Sequence, residues 1–235
     1  IYNLFTQAMD LRPNSDEGKV EALAAYGVAD KELLSLLINA TYINKDSLSI
    51  GFNINKIKYF YDMDWLKEQR KNIGNESFCA TVQSYLEDTI VEYLNAVYKK
   101  YPINNLCLSG GVAANIIMSL KIYERTSFKN IYVLPPMGDE GLAIGSAILT
   151  AIDFEQDLTW LRSFKMPYFG DSYSRKEVKL ALQEFNNITF EDVGKNWPEK
   201  AAKSVSEGKI CSLFHGRMEF GPRALGNRSI VADPC

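Results

Sequence analysis

An α/β fold is the class that three features of this 235-residue sequence predict. A strand–glycine–helix pattern occurs twice between residues 106 and 152, and a long amphipathic stretch precedes it. A fresh run of helix and strand patterns follows an aperiodic interval at 153–174. Hydrophobic residues make up 46% of the chain, enough for a real core, and the net charge is −3. That acidic balance argues against a general nucleic-acid or membrane-surface binder. The longest apolar run, Leu142–Ile152, is about half of what a bilayer span requires, so no membrane partner is expected.

Leu48, Ile50, Phe52 and Ile54 alternate with polar or small residues, which predicts a β segment near 46–61. From Ser77, a plausible N-cap, apolar residues from Phe78 to Tyr98 recur at three- and four-residue steps, predicting a long helix that ends before Pro102. Leu106–Ser109 reads as a buried strand, Gly110-Gly111 as a tight turn, and Val112–Tyr123 as a helix with Ile116, Ile117, Leu120 and Tyr123 inward. A second such unit follows: strand Ile131–Leu134, turn Pro135–Glu140, and a small-residue helix Gly141–Ile152 in which Gly141 and Gly145 allow close approach. After the interval at 153–174, Ser174 to Glu177 fits a capping box opening a helix through Phe185. Ile188–Val193 reads as strand, Pro198–Glu207 as a helix closed by Gly208, and Lys209–Phe214 as strand, with another strand just before Asp233. A domain boundary is placed in the aperiodic interval, giving domains 1–160 and 161–235.

Three arginines, the only histidine and three glycines fall within residues 215–229. Arg217, Arg223 and Arg228 offer planar forks of donors suited to phosphate or carboxylate, with His215 and Ser229 as lesser candidates. The alternative is a structural salt-bridge cluster with Glu219 and Asp233, but so few acids would leave much of the positive charge for an external anion. Ser109, Gly110 and Gly111 lie between strand and helix, where free N–H groups and the helix dipole favour a nucleotide; tight helix–sheet packing explains such a turn equally. Gly138 and Asp139 open the second helix, with Asp139 either a metal ligand or a cap. Lys19 could reach a phosphate or simply be solvated surface. Cys79, Cys107, Cys211 and Cys235 show no paired ligand spacing and read as reduced, buried thiols, in keeping with a cytoplasmic location. One histidine excludes a histidine-rich metal site built from this chain alone.

Asp16 to Val20 with Ala24 to Gly27, Leu106 to Asn115 with Pro136 to Ala147, and Gly216 to Pro234 resemble, in order, the motifs of the NodU/CmcH family of carbamoyltransferases. The resemblance implies the second lobe of an actin-like ATPase (Kae1-like) domain followed by the beginning of a YrdC-like α/β domain. It implies ATP and a divalent metal as cofactors, iron by family expectation with magnesium as the alternative. It also implies carbamoyl phosphate and a small hydroxylated acceptor as substrates, joined through a carbamoyl-adenylate; a homodimer is left open. Arg217, Arg223 and Arg228 would hold phosphates, Ser109–Gly111 and Gly138 would face nucleotide, and Asp139 would bind metal. The rest of each site is expected outside this chain, which reads as an inactive fragment. Two other readings are a tRNA threonylcarbamoyl-transfer protein and a non-catalytic nucleotide-gated binding module; the arginine loop, which a mere switch would not need, favours the small-molecule enzyme.

Overall fold

The computed structural model describes residues 1–56, 58–163 and 167–233. The chain folds as two compact units, Ile1–Val133 and Leu134–Cys235.

The first unit is mixed α/β. Helices α1 (Tyr2–Ala8), α2 (Glu17–Ala24) and α3 (Lys31–Asn39) lead into a hairpin of β1 (Thr41–Asn44) and β2 (Ser49–Phe52). Helices α4 (Lys58–Tyr61) and α5 (Met63–Ile73) then precede α6 (Asn75–Lys100). The alternation read as β over 46–61 thus belongs to one arm of a hairpin that begins at Thr41, and the chain is helical again by Lys58. The fold needs a partner for the alternating strand, and the residues just before it supply one.

The long helix starts two residues before Ser77. Gly74, at φ 87°, ends α5 and caps α6, and its carbonyl accepts the Phe78 N–H at 3.0 Å. Glycine is the residue that holds a left-handed φ without a Cβ penalty, so it displaces the serine from the cap. Helix α6 serves two cores. Phe78, Cys79, Val82 and Tyr85 pack with Phe5, Leu37, Phe60 and Leu66 in the first, whereas Leu94 joins Met118, Ile122 and Phe128 in the second.

Over the second core lies β3 (Asn105–Leu108), a 3₁₀ turn (Gly111–Ala114), α7 (Ile116–Arg125) and β4 (Asn130–Val133), with β3 and β4 paired in parallel. This is the predicted strand–glycine–helix–strand unit, but its helix turns the other way. Met118 and Ile122 are buried, while Ile116 and Tyr123 are 60% and 64% exposed and Ile117 and Leu120 also face out. The 3₁₀ turn takes up Gly111–Ala114, so α7 begins later than the periodicity suggested and rotates its stripe. Cys107 is exposed on the outward side of β3, against the expectation of a buried thiol; Cys79 is buried, and burial pushes its thiol up to about 11. Cys235 lies outside the described residues.

The second unit contains α8 (Gly141–Asp153), α9 (Arg175–Gln183), α10 (Trp197–Ser206) and an antiparallel pair, β5 (Cys211–Phe214) and β6 (Arg228–Val231). The capping box forms as read: Ser174 Oγ accepts the Glu177 N–H, and the Glu177 carboxylate accepts the Ser174 N–H at 2.8 Å. Pro198 opens α10 and Gly208 follows its end at φ 78°. Ile188–Val193 forms no strand among the described residues; Asp192 there binds the Arg175 guanidinium and accepts the Gly194 N–H. Gly141 lies close to the carbonyl of Pro136 within its own turn, while Gly145 has open space beside it. No helix among the described residues is long and apolar enough to cross a membrane.

Candidate functional site

The arginine segment is the 13-residue connection between β5 and β6, closed at its neck by the His215 N–H donating to the Asn227 carbonyl at 3.1 Å. Such a loop needs its backbone groups satisfied to hold one shape. Glu219 supplies much of this, since one of its carboxylate oxygens accepts the N–H groups of Leu225 (2.8 Å) and Asn227 (2.7 Å). The salt-bridge role weighed for Glu219 is therefore replaced by a backbone role.

The arginines divide by what they touch. Arg217 donates from Nε to the Gly170 carbonyl and from Nη2 to the Phe169 carbonyl, each at 2.9 Å. It thereby ties the loop to a stretch that already pairs with it through Gly170 N–H to Met218 O, Met218 N–H to Asp171 O and Phe220 N–H to Pro167 O. Gly170 is needed for this approach, because a methyl there would lie 2.4 Å from the Met218 Cβ. Arg228 donates from Nη1 to the carbonyls of His215 and Asn227, and its guanidinium lies 3.6 Å from the centre of the Phe214 ring. Its Nε is buried with no hydrogen-bond partner among the described residues. Arg223 stands half-buried between Pro222 and Ala224 in the middle of the loop. Ser229 Oγ accepts the Gly226 N–H at 2.9 Å, and the His215 ring lies 5.1 Å from Trp197 beside a cleft of about 500 Å³ between α10 and β5. The structure thus sets Arg228 against His215 and turns Arg217 to Phe169 and Gly170, both arginines bracing the loop that carries Arg223.

Within the same unit, Gly221 (φ 138°) passes so close to the 135–140 turn that a methyl on it would sit 2.7 Å from the Pro135 carbonyl oxygen. That turn holds Gly138, whose N–H donates to Glu140 Oε1 at 3.3 Å, and exposed Asp139. Among the described residues no three His, Cys, Asp or Glu side chains converge on one point. A tightly bound transition metal takes at least three protein ligands, so these residues do not hold one by themselves, and Asp139 can be no more than one ligand of a larger set.

In the first unit, Ser109, Gly110 (φ 94°) and Gly111 are exposed, with open space beside both glycines. The N–H groups that begin α7 are not free, as the glycine turn suggested. Glu21 Oε1, from α2, accepts those of Ile116 (2.8 Å) and Ile117 (3.2 Å), and the N-cap Asn115 accepts that of Met118 (2.8 Å). A carboxylate of the protein thus takes up the first N–H groups at the positive end of this helix. Glu21 has no signal in the sequence because its partners lie 95 and 96 residues away, whereas Asn115 carries a local one, an asparagine cap three residues before Met118.

Lys19 pairs with Asp16 at 3.0 Å and is largely exposed. Asp16 itself is buried; the Arg12 N–H, and then Lys19, hold its carboxyl down at about 2, below the ordinary 3.8. A depressed acid stabilises the fold fully above its unfolded value and loses that contribution as pH falls through the folded one. Urea midpoints measured from pH 3.8 downward should therefore fall less steeply in Asp16→Asn than in the parent chain, the difference developing between 3.8 and about 2.

Residues 1–148 match the family model described as carbamoyltransferase N-terminus, and residues 202–235 match that described as carbamoyltransferase C-terminus. An uncharacterized protein of Methanocaldococcus jannaschii is 49% identical over the whole chain, which covers 39% of that relative. Nodulation protein NolO of Bradyrhizobium diazoefficiens is 28% identical over 93% of the chain and 40% of its own length. Nodulation protein NolNO of Sinorhizobium fredii is 31% identical over 68% of the chain and 24% of its length. The chain therefore spans well under two thirds of these relatives.

Proposed function

Since the chain belongs to the carbamoyltransferase family, we propose that it is part of an ATP-dependent enzyme transferring a carbamoyl group from carbamoyl phosphate to a hydroxyl of a small acceptor. In this reading the first 160 residues are the second lobe of an actin-like (Kae1-like) domain, and residues 161–235 begin a YrdC-like domain. The observation that carries the reading is the braced β5–β6 loop: three guanidinium groups on a backbone fixed by Glu219, Asn227 and the carbonyls of Phe169 and Gly170. Preorganised cations of this kind stabilise charge spreading over phosphate oxygens without reorganising during reaction.

Water attacks the phosphorus of carbamoyl phosphate, and its P–O bond to the carbamate breaks to give inorganic phosphate and carbamate. A carbamate oxygen then bonds to the α-phosphorus of ATP as the α–β phosphoanhydride bond breaks and pyrophosphate departs. The acceptor hydroxyl then attacks the carbonyl carbon of the carbamoyl-adenylate, and AMP leaves with the electrons of the broken bond. Arg223 contacts the phosphates while Arg217 and Arg228 keep the loop in shape; His215 and Ser229 flank it. In the first unit Ser109, Gly110 and Gly111 would face nucleotide and Lys19 would contact substrate; in the second, Gly138 would offer a nucleotide contact of its own. Asp139 would contribute one carboxylate to a metal whose remaining ligands lie outside this chain; a metal there would polarise an oxygen of the acceptor or the carbamoyl group.

The full-length protein given ATP and carbamoyl phosphate is expected to release pyrophosphate only when both are present. Pyrophosphate release that ignores carbamoyl phosphate, or its absence altogether, would sink the adenylation chemistry.

A further inference from the structure

We propose that Glu21 is a positioning residue for the Ser109–Gly111 turn, acting through the start of α7 together with Asn115 and Gln83. The functional weight of this inference rests on the reading of that turn as nucleotide-facing; its structural part does not.

Glu21 is only 8% exposed, and it reaches from α2 to N–H groups 95 and 96 residues further along the chain. Burying a carboxylate is costly unless donors surround it, and the unpaired N–H groups at a helix start are donors of the right sign. The neighbouring cap is held as firmly. Asn115 and Gln83 exchange two amide hydrogen bonds, at 3.1 and 2.8 Å, and both are buried. Gln83 Nε2 also donates to Glu87 Oε1 at 2.8 Å, and Gln83 Oε1 accepts the Tyr2 hydroxyl at 3.1 Å. Side chains of α1, α2 and α6 thus converge on the point where the 3₁₀ turn ends and α7 begins.

Gly110 and Gly111 have no side chains and no neighbour within 4 Å of where a Cβ would be, so no side-chain packing holds them. Their position is inherited from β3 on one side and from residues 115–117 on the other. An apolar residue in place of Glu21 would leave two helix N–H groups without this acceptor and let the turn drift. Packing alone could be supplied by any side chain of similar size, whereas an oxygen that accepts both N–H groups could not.

Amide hydrogen exchange and ATP binding should be compared in the full-length protein and in Glu21→Ala, Glu21→Gln, Asn115→Ala and Val20→Ala. Val20 is fully buried on the same helix and makes no polar contact, so its variant reports general destabilisation. Glu21→Ala is expected to speed exchange at Ile116 and Ile117, and at Ala113, whose N–H donates to the Gly110 carbonyl at 2.9 Å, by at least about tenfold, the loss of a hydrogen bond to a charged group, and to weaken ATP binding by a similar factor. Glu21→Gln, whose amide oxygen can accept the same bonds, should recover most of both. Asn115→Ala should speed exchange at Ala113 while Ile116 and Ile117 stay protected by Glu21. Val20→Ala should lower the unfolding midpoint without selective change at the turn. Unchanged exchange at Ala113 in both the Glu21→Ala and Asn115→Ala proteins, or a glutamine variant no better than alanine, would overturn the proposal. If the unaltered protein binds no ATP, the nucleotide reading fails, and the exchange data still decide what Glu21 does.

Discussion

Arg223→Ala is expected to lower carbamoyl-phosphate-dependent pyrophosphate release by about 10²–10³-fold in the full-length protein, the usual cost of removing one preorganised donor from an anionic transition state. ATP binding should persist, because Gly110 and Gly111 belong to the other compact unit. Loss of release and ATP binding together would argue against separate sites. Arg217 makes the informative contrast. Its Nε and Nη2 hold two successive carbonyls, of Gly170 and Phe169, and an ammonium cannot reproduce that fork. Arg217→Lys should therefore also impair release, although it keeps the charge.

Phe5→Ala is expected to destabilise the first unit by about 3–5 kcal/mol, the range for deleting a buried aromatic ring. Phe5 is fully enclosed and meets the rings of Phe60, Phe78 and Tyr85 at 6.1, 6.2 and 6.3 Å, each at a steep angle. It joins α1, α4 and α6 at one point, so no single element can shift to fill the void. With a urea slope of roughly 1–3 kcal/mol per molar, a loss of this size should lower the urea midpoint by about 1–5 M, a large share of a domain stability of roughly 5–15 kcal/mol. A change under about 1 kcal/mol would mean that the core repacks freely around the missing ring.

What could be read from the sequence was local. The capping box at Ser174, the proline start and glycine stop of α10, and the glycine turn after β3 each depend on residues within a few positions of one another. The parallel pairing of β3 with β4 was also legible, since it follows from a strand–turn–helix–strand order. The inward face of α7 was misread because apolar residues occur all round that helix, and only the later start fixed by Asn115 decides which of them face the core. Ile188–Val193 carried β-prone residues, yet no ladder partner exists for them among the described residues. For the site, the residue types in the arginine loop were visible, but not their division of labour. Arg217 serves carbonyls 47 and 48 residues back in the chain, and Glu21 serves N–H groups 95 and 96 ahead. No sequence periodicity encodes a pair at such distance.

Gly221 gives the arginine loop a mechanical property. Most loops touch their surroundings through side chains, which bend and swap rotamers when the backbone moves. Here backbone meets backbone, Gly221 against the Pro135 carbonyl, and Pro136 beside it is fully buried. A side chain added at Gly221 could therefore find no relief by changing rotamer, because the atom it would meet, 2.7 Å from its Cβ, is main chain that has no rotamer to change.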